Sequence, residues 1–330
     1  MPERWELRQM QSLPLAAKVS MTESRIREWV TEYGEDGVYV SFSGGKDSTV
    51  LLDIVRRMYS GIEAVFVNTG LEYPEIQQFV KAFDNVTILR PKMRFDDVIK
   101  KYGYPVISKD VSSKIYYARK GRDWAMRYVD GTAKMNNANK SRFCVEKYKL
   151  LLQTDFMCAD ACCAVMKKSP AKTFARKTGK KPITAQMAAE SKQRTTQWML
   201  KGCNAFESKN PISNPMSFWT EQDVLQYIKQ NGIPIASVYG DIVYKDDGKL
   251  YTTGCNRTGC IFCAFGCHLE KEPSRFQRLK QTHPRQYEYC INGGAYGDDG
   301  IWKPNSEGLG MGHVFDELNK LYGENFVKYK

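Results

Sequence analysis

The sequence predicts an α/β protein: an open, twisted, parallel sheet flanked by helices, followed by a cysteine-rich, metal-binding C-terminal extension. Three observations predict it. Short β-rich runs recur at residues 38–42, 62–67 and 86–89. Stretches with helical spacing of apolar residues separate them, joined by short connections, which is the alternation of a parallel sheet covered by helices. The first run breaks directly into Ser43-Gly-Gly-Lys-Asp-Ser48, a sharp passage from strand to helix.

Each element has its own signal. Residues 14–33 place apolar and charged positions at helical spacing and stop at Gly34, giving an N-terminal helix. After the 38–42 strand, Val50, Leu51, Leu52, Ile54, Val55 and Met58 mark the apolar face of a second helix. A strand at 62–67, a helix at about 73–83 and a strand at 86–89 follow. Farther on, Ile183-Thr184 starts another strand and 190–200 reads as a helix. Thr220 caps a helix over 220–230 that stops near Gly232. Residues 308–330 read as a glycine-rich loop and a short amphipathic helix. There are no repeats and no low-complexity segment.

The chain has 330 residues, enough for roughly two domains. With 42% apolar and 26% charged residues, wholesale disorder is excluded. The expected organisation is a helical segment at 1–35, a nucleotide-binding α/β domain at 36–250 with a basic insertion at about 105–180, and a cysteine-rich and helical segment at 251–330. No apolar run approaches the ~18 residues of a membrane span. The mixed-charge start lacks a signal core, so a cytoplasmic location without membrane attachment is expected. Ten cysteines are too few for a disulfide scaffold at this length.

Ser43-Gly44-Gly45-Lys46-Asp47-Ser48 is a candidate phosphate cradle. Adjacent glycines let the backbone turn sharply and offer bare N–H groups to an anion, and the helix that follows aims its positive end there. Lys46 adds a point charge, and Ser43 and Ser48 add hydroxyl donors. The Walker A spacing is absent. Lys46 and Asp47 are the catalytic candidates of this loop. The bland alternative is a plain Gly-Gly turn.

The hexapeptide resembles the S-G-G-x-D-S loop of the PP-loop ATP pyrophosphatases, the adenine nucleotide alpha hydrolase-like fold. Asn68-Thr69-Gly70-Leu-Glu-Tyr-Pro74-Glu75 resembles the D-T-G-x-x-x-P-E segment of the phosphoadenosine-phosphosulfate (PAPS) and adenosine-phosphosulfate (APS) reductase branch. Pro211-Ile212 with Trp219-Thr220-Glu-Gln-Asp223-Val224 is similar to its P-[IL]…W-T-x-x-D-V block, and Glu190-Ser191…Arg194 to the end of its G-x-R-A-x-E-S motif. The resemblance covers about residues 38–265. It implies a five-stranded parallel sheet binding ATP, PAPS or APS, with Ser43 to Ser48, Asn68, Thr69, Gly70, Glu190, Ser191 and Arg194 around the nucleotide. Departures are specific. Asn68 replaces the family Asp, while Ala185 and Met187 replace a Gly and an Arg. The Glu-Cys-Gly-x-His nucleophile of the reductases has no counterpart in Glu324–Lys330. Phosphosulfate reduction is therefore not the first expectation.

Six cysteines cluster, as Cys162-Cys163 and as Cys255, Cys260, Cys263 and Cys267. Thiolates so spaced can hold zinc or an iron–sulfur cluster. Resemblance to iron–sulfur APS reductases implies Cys162, Cys163, Cys260 and Cys263 as ligands of a [4Fe–4S] cluster. Local spacing instead favours Cys260, Cys263 and Cys267 with Cys163 or Cys255, and Zn²⁺ is the alternative metal. A spare thiol, Cys267 or Cys255, would carry sulfur. Cys144, Cys158, Cys203 and Cys290 read as packing residues, and His268 as a neighbour of the site or a surface residue.

Formal charge is +12, and it is concentrated. Residues 112–149 and 161–189 each carry +7, leaving the remainder near −2. Tyr116, Tyr117, Trp124, Tyr128, Phe143 and Tyr148 are interleaved in the first window, a pattern suited to phosphate tracking and base stacking. A solvated lysine face is the plain alternative. The leading expectation is an adenylating sulfurtransferase on tRNA or DNA, since the resemblance extends to PP-loop proteins of tRNA thiolation and DNA phosphorothioation. It would use ATP with Mg²⁺, and sulfur borne by a cluster or cysteine and delivered by a donor such as a cysteine desulfurase. The alternatives are an atypical PAPS/APS reductase using Cys267, Cys255 or Cys290, and a non-catalytic nucleotide- or redox-sensing nucleic-acid binder.

Overall fold

A computed structural model describes residues 3–135 and 139–330. The chain divides into two compact units. Unit 1 comprises residues 1–68, 72–90 and 170–259, and unit 2 comprises 69–71, 91–169 and 260–330. Among the described residues no helix is long and apolar enough to cross a membrane.

Unit 1 is the expected α/β layer. Besides helix Ser169–Thr178, its helices include α1 (Arg4–Ser12), α2 (Leu15–Tyr33), α3 (Lys46–Met58), α4 (Pro74–Lys81), α5 (Lys192–Lys201) and α6 (Glu221–Asn231). Its sheet is built from β1 (Val38–Ser41), β2 (Ala64–Val67), β3 (Val86–Leu89), β4 (Lys181–Ile183), β5 (Asn204–Ala205) and β6 (Ile212–Ser213). Spatial order is β3-β2-β1-β4-β6-β5, parallel except for β5, which runs antiparallel to β6. The five parallel strands match the expectation, and the sixth is an addition too short to leave a periodic trace in the sequence. Helix α1 is a second element the pattern did not announce.

The central strand β1 buries Val38, Tyr39 and Val40 on both faces, as a parallel strand covered by helices should. Helix α2 turns Thr22, Ile26, Trp29 and Val30 inward at helical spacing and ends where Gly34 takes φ 74°. Thr220 caps α6 through a reciprocal bond pattern with Asp223, and Gly232 ends it in the left-handed conformation.

Chain order along the sheet reverses at β1. The strands that follow β1 in sequence proceed to one side through β2 and β3, and β4 takes up the other side. A crevice outside the carboxyl ends of β1 and β4 is where such sheets bind ligands. The loops leaving those two strands are 42–45, expected from the sequence, and 184–191, which begins where the sequence placed the start of a strand at Ile183-Thr184; β4 instead ends at Ile183.

Unit 2 pairs a short strand, Val106–Ile107, in parallel with Ala264–Phe265. Helix Lys109–Arg119 packs on helix Asp123–Val129, and helix Met311–Tyr322 realises the amphipathic segment expected near the end of the sequence. Tyr104, Ile115, Phe156, Phe276 and Phe315 are fully buried, and Phe276 and Phe315 meet at 4.8 Å between ring centroids.

In unit 1 the ammonium of Lys18, 2% exposed, is held by both Asp223 oxygens at 2.7 and 2.8 Å. Removing one partner of a buried pair strands the other charge. Lys18→Met is therefore expected to cost about 3–5 kcal/mol, against about 1 kcal/mol for loss of the α6 cap in Thr220→Ala. Chemical denaturation of the two variants measures both. Equal losses would show that the pair is not buried in solution.

Candidate functional site

The loop after β1 forms its cradle through hydroxyl groups. Gly44 sits at φ 71°, and a Cβ there would come within 2.8 Å of Ile76 and Val80, so the position requires glycine. Ser48 Oγ accepts the Ser43 N–H at 3.1 Å, and the two serine hydroxyls share a bond of 3.0 Å. The Gly45 N–H donates to Ser43 Oγ at 3.3 Å, and the Lys46 N–H donates to Tyr239 Oη at 3.3 Å. Tyr239 and Thr258 in turn share a bond of 2.5 Å. Burial pushes the Tyr239 phenol up to about 12, so it stays protonated. Hydroxyls occupy the amides that a phosphate oxygen would take over.

Lys46 departs from expectation. Its side chain is buried, and its ammonium donates to Glu221 Oε1 at 2.7 Å and to the Asn256 carbonyl, 5.5 Å from the Tyr239 ring centroid. The charge read from sequence as facing the anion is paired with the first turn of α6. Two other cations act on this loop. Arg194 and Arg257 both pair with Glu190, Arg257 at 3.0 Å, and both pull on the Asp47 carboxyl. Arg257 side chain is 65% exposed. Its guanidinium reaches the same Glu190 motif in which Met187, 3% exposed, stands in place of the family's arginine. Ser191 caps α5 through the Arg194 N–H at 3.2 Å, so its hydroxyl is structural.

Asp47 is the outlier. Its Oδ1 is buried and has no hydrogen-bond partner among the described residues. Burial pushes its carboxyl above the ordinary 3.8, against the pull of Lys46, Arg257 and Arg194 and with the help of Glu221. A buried unpartnered carboxylate oxygen is costly unless a cation or donor arrives. Arg194, which acts on this carboxyl, also lines a cavity of about 270 Å³ with Met187, Trp198, Lys201, Asn214 and Ser217. Asn68 follows β2 and continues its register, donating its N–H to Leu89 O at 2.8 Å. Thr69 and Gly70 belong to the segment assigned to unit 2, where Thr69 Oγ1 accepts the Leu71 N–H at 3.2 Å and Gly70 takes φ 76°.

The cysteines divide between the units. Cys255 lies in unit 1 and bears electrostatically on Tyr239. In unit 2, Cys162 and Cys163 head a helical segment that passes into a π-helical turn, Ala164–Lys168, a distortion frequent at functional sites. The two thiols share a hydrogen bond. This bond holds Cys162 up and Cys163 down, with Lys109 and Lys167 favouring thiolate at Cys163. Cys260 and Cys263 act on the same Cys162, and Cys263, raised first by burial, also feels Arg275, Cys163 and Lys109. Arg275 Nη1 donates to the Cys263 carbonyl at 2.8 Å. Cys267 is 3% exposed, and burial pushes its thiol up to about 12, which disfavours the thiolate a nucleophile needs. Cys290 is buried against Met311, with sulfurs 3.5 Å apart.

An all-thiol donor set with lysines and an arginine beside it fits an iron–sulfur cluster in chemistry. No group of three or more His, Cys, Asp or Glu among the described residues already stands in a metal-binding arrangement. His268 stacks on Phe326 at 5.0 Å and contacts Tyr148 Oη at 3.4 Å, and burial, then Lys147, lowers its pKa.

The basic windows shrink once partners are counted. Lys114 is buried against Asp110 at 2.6 Å, Arg119 donates to the Phe156 carbonyl at 2.5 Å, and Lys140 pairs with Glu146. Lys149 pairs with Asp130 at 2.6 Å, and Lys180 with Glu63 at 2.7 Å. Sequence reasoning missed Arg257, Glu221 and Tyr239. Arg257 was hidden among the cysteines, and Glu221 inside a block read only as a motif.

The sequence model of the phosphoadenosine phosphosulfate reductase domain matches residues 37–114 and 125–265. An uncharacterized protein of Methanocaldococcus jannaschii is 23% identical over 265 residues, 77% of this chain and 47% of that protein. The chain thus spans about half the length of that curated relative. Two solved structures are similar at low scores. Phosphoadenylyl-sulfate (PAPS) reductase from Candida auris in a phosphate complex is 15% identical, covering 72% of this chain and 91% of that one, with a TM-score of 0.39. U34-tRNA thiolase NcsA from Methanococcus maripaludis, with its [4Fe–4S] cluster, is 14% identical, covering 67% and 66%, with a TM-score of 0.34.

Asp47 makes a signed prediction. A carboxyl whose folded pKa is raised binds its proton more tightly in the native state, so native stability falls as pH climbs from 3.8 through the raised value. Asp47→Asn is expected to raise the thermal midpoint at neutral pH and to have little effect well below pH 3.8. The same shift at both pH values would contradict the buried, unpartnered placement.

Proposed function

The chain belongs to the phosphoadenosine phosphosulfate reductase domain family of PP-loop enzymes, and from that premise we propose that it is an adenylating sulfurtransferase acting on a nucleic acid. One observation carries the choice: the buried Asp47 oxygen in the glycine cradle, which has no hydrogen-bond partner among the described residues. A phosphosulfate alone is anionic, and that oxygen would repel it. ATP arrives with Mg²⁺, a hard cation that takes carboxylate oxygens. Asp47 is the residue that would hold it, and bound Mg²⁺ would neutralise phosphate charge.

The Gly45 and Lys46 amides then receive phosphate oxygens in place of the Ser43 and Tyr239 hydroxyls, at the positive end of α3. An oxygen of the acceptor attacks the α-phosphorus as the bond to the β-phosphate oxygen breaks, and pyrophosphate leaves. Arg194 and Arg257 stabilise the charge that develops. Sulfide, the named co-reactant, next attacks the carbon that carries the activated oxygen. The C–S bond forms as the C–O bond breaks, and AMP departs with the oxygen. Cys162, Cys163, Cys260 and Cys263 would hold a [4Fe–4S] cluster, which supplies sulfur chemistry at the sulfide level. The electrostatic contact of Cys162 with Cys163, Cys260 and Cys263 supports this set, and Cys267, which bears on Cys263, is the neighbouring thiol. Zn²⁺ is the competing occupant.

A second reading is an atypical PAPS/APS reductase, favoured by the exposed Arg257 guanidinium, which suits a sulfate or phosphate fork. Pyrophosphate release from ATP distinguishes the two. It is expected to depend on nucleic acid or sulfide and to fall roughly a hundredfold in Asp47→Asn. Sulfite release from phosphosulfate with a thioredoxin-like donor, and no ATP turnover, would replace the first reading by the second.

Anaerobic purification tests the thiol site separately. About four irons per chain and a broad visible band are expected, lost in Cys163→Ala and Cys260→Ala and kept in Cys290→Ala. Zinc alone in the purified protein would overturn the cluster.

A further inference from the structure

Helices 109–119 and 123–129 of unit 2 carry a run of aromatic rings that the core does not use. Tyr116, Tyr117, Trp124 and Tyr128 follow one another with ring centroids 5.4, 5.4 and 6.4 Å apart. Tyr117 is 40% and Trp124 43% exposed. Large rings held in contact with one another and still open to water are placed to receive something flat. Lys120 lies over the Tyr116 ring, and Arg122 and Arg127 are exposed next to Trp124 and Tyr128 in the same stretch of chain.

The same ladder opens into a cavity. A pocket of about 230 Å³ in unit 2 is lined by Lys100, Lys101, Tyr102, Tyr116, Lys120 and Trp302, among others. Tyr116 and Lys120 belong both to this pocket and to the ladder, so the two are continuous. Lys101 lies 5.3 Å from the Tyr102 ring and Lys120 lies 5.9 Å from the Tyr116 ring. The one acid of the pocket lining, Asp299, is already paired with Lys303 at 2.6 Å. The volume equals that of roughly eight liquid waters, enough for a single base.

We propose that this face binds an unpaired nucleic-acid strand, with one base in the cavity and its neighbours stacked on Tyr117 and Trp124. The proposal rests on the sulfurtransferase reading for the class of acceptor, and adds its strandedness and its seat. A strand alternates anions with flat faces, which is what alternating cations and rings complement. A duplex keeps its base faces stacked inside and would leave the rings without a partner. An acidic peptide offers charge without rings.

Fluorescence anisotropy of the full chain with a short labelled single-stranded RNA, without ATP, tests it. The single strand is expected to bind more tightly than the same strand in a duplex or polyglutamate. Trp124→Ala should weaken binding roughly tenfold with the salt dependence unchanged, and Trp124→Phe should restore it. Lys101→Ala with Lys120→Ala should weaken binding and lower the salt slope by about two. Thermal midpoints check that each variant folds. Equal affinity for duplex or polyglutamate, or no loss in Trp124→Ala, would overturn the site. Nucleic-acid-dependent pyrophosphate release surviving that failure would leave the sulfurtransferase reading standing. Strand binding as described without turnover would support the surface and overturn that reading instead.

Discussion

Two lysine ammonium groups are buried against the first turn of one helix, and unit 1 is arranged around that constraint. Asp223 takes Lys18 from α2, and Glu221 takes Lys46 from α3, both within the opening turn of α6. Burying an ammonium costs several kcal/mol, recovered only with a well-placed partner. Helices α2, α3 and α6 therefore cannot shift independently. Both carboxylates also sit where a helix favours negative charge. The neighbouring residues complete the junction. Trp219 Nε1 donates to Thr22 Oγ1 at 2.8 Å, and Asp223 accepts the Thr220 N–H at 2.7 Å. Gln222 makes a two-way amide bond with the Leu250 backbone at 2.9 Å. The block Trp219 to Val224 is a structural keystone before it is anything catalytic, and through Lys46 it fixes the floor of the glycine cradle.

Much of this architecture was legible because the signals were local. Strands β1 to β3 announce themselves as β-rich runs, α6 by its cap and stop, and the cradle by a glycine pair between strand and helix. What was illegible depends on side chains meeting from distant segments. Arg257 joins Glu190 across 67 positions of sequence, a contact that no spacing rule reaches. Lys46 illustrates a related failure. Its place in the loop was readable, but its pairing with a residue 175 positions away was not. Strand β5 has two residues, below the length at which alternation can be recognised. The charge windows were overread because composition counts ions without their partners. Structure assigns Lys114, Arg119, Lys140 and Lys149 to internal contacts and leaves the aromatic ladder with fewer, better placed cations.

The candidate sites of the two units are prepared in opposite electrostatic ways. In unit 1 one carboxylate oxygen of Asp47 is withdrawn from water with no hydrogen-bond partner among the described residues, and burial outweighs the pull of Lys46, Arg257 and Arg194 on that charge. In unit 2 the bond from Cys162, with Lys109 and Lys167 nearby, favours at Cys163 the anionic form of sulfur that metals and electrophiles meet, while Cys162 is held up. Cys267 is buried next to this group, between Arg275 and Glu270 and within reach of Cys263, whereas Cys290 packs as a small hydrophobe against Met311.

The order of strands has a consequence for synthesis. Strand β1 lies between β2 and β4, pairing Val40 with Ala64 on one side and Val38 with Lys181 on the other. Its first neighbour follows almost at once, but the second emerges only after the whole of 91–169 has been made. At ribosomal speed that interval is on the order of ten seconds. Throughout it, Val38, Tyr39 and Val40 present an open, apolar strand edge, the template on which nascent chains cross-pair. The most enclosed strand of the finished protein is, on the ribosome, the one most in need of a guardian.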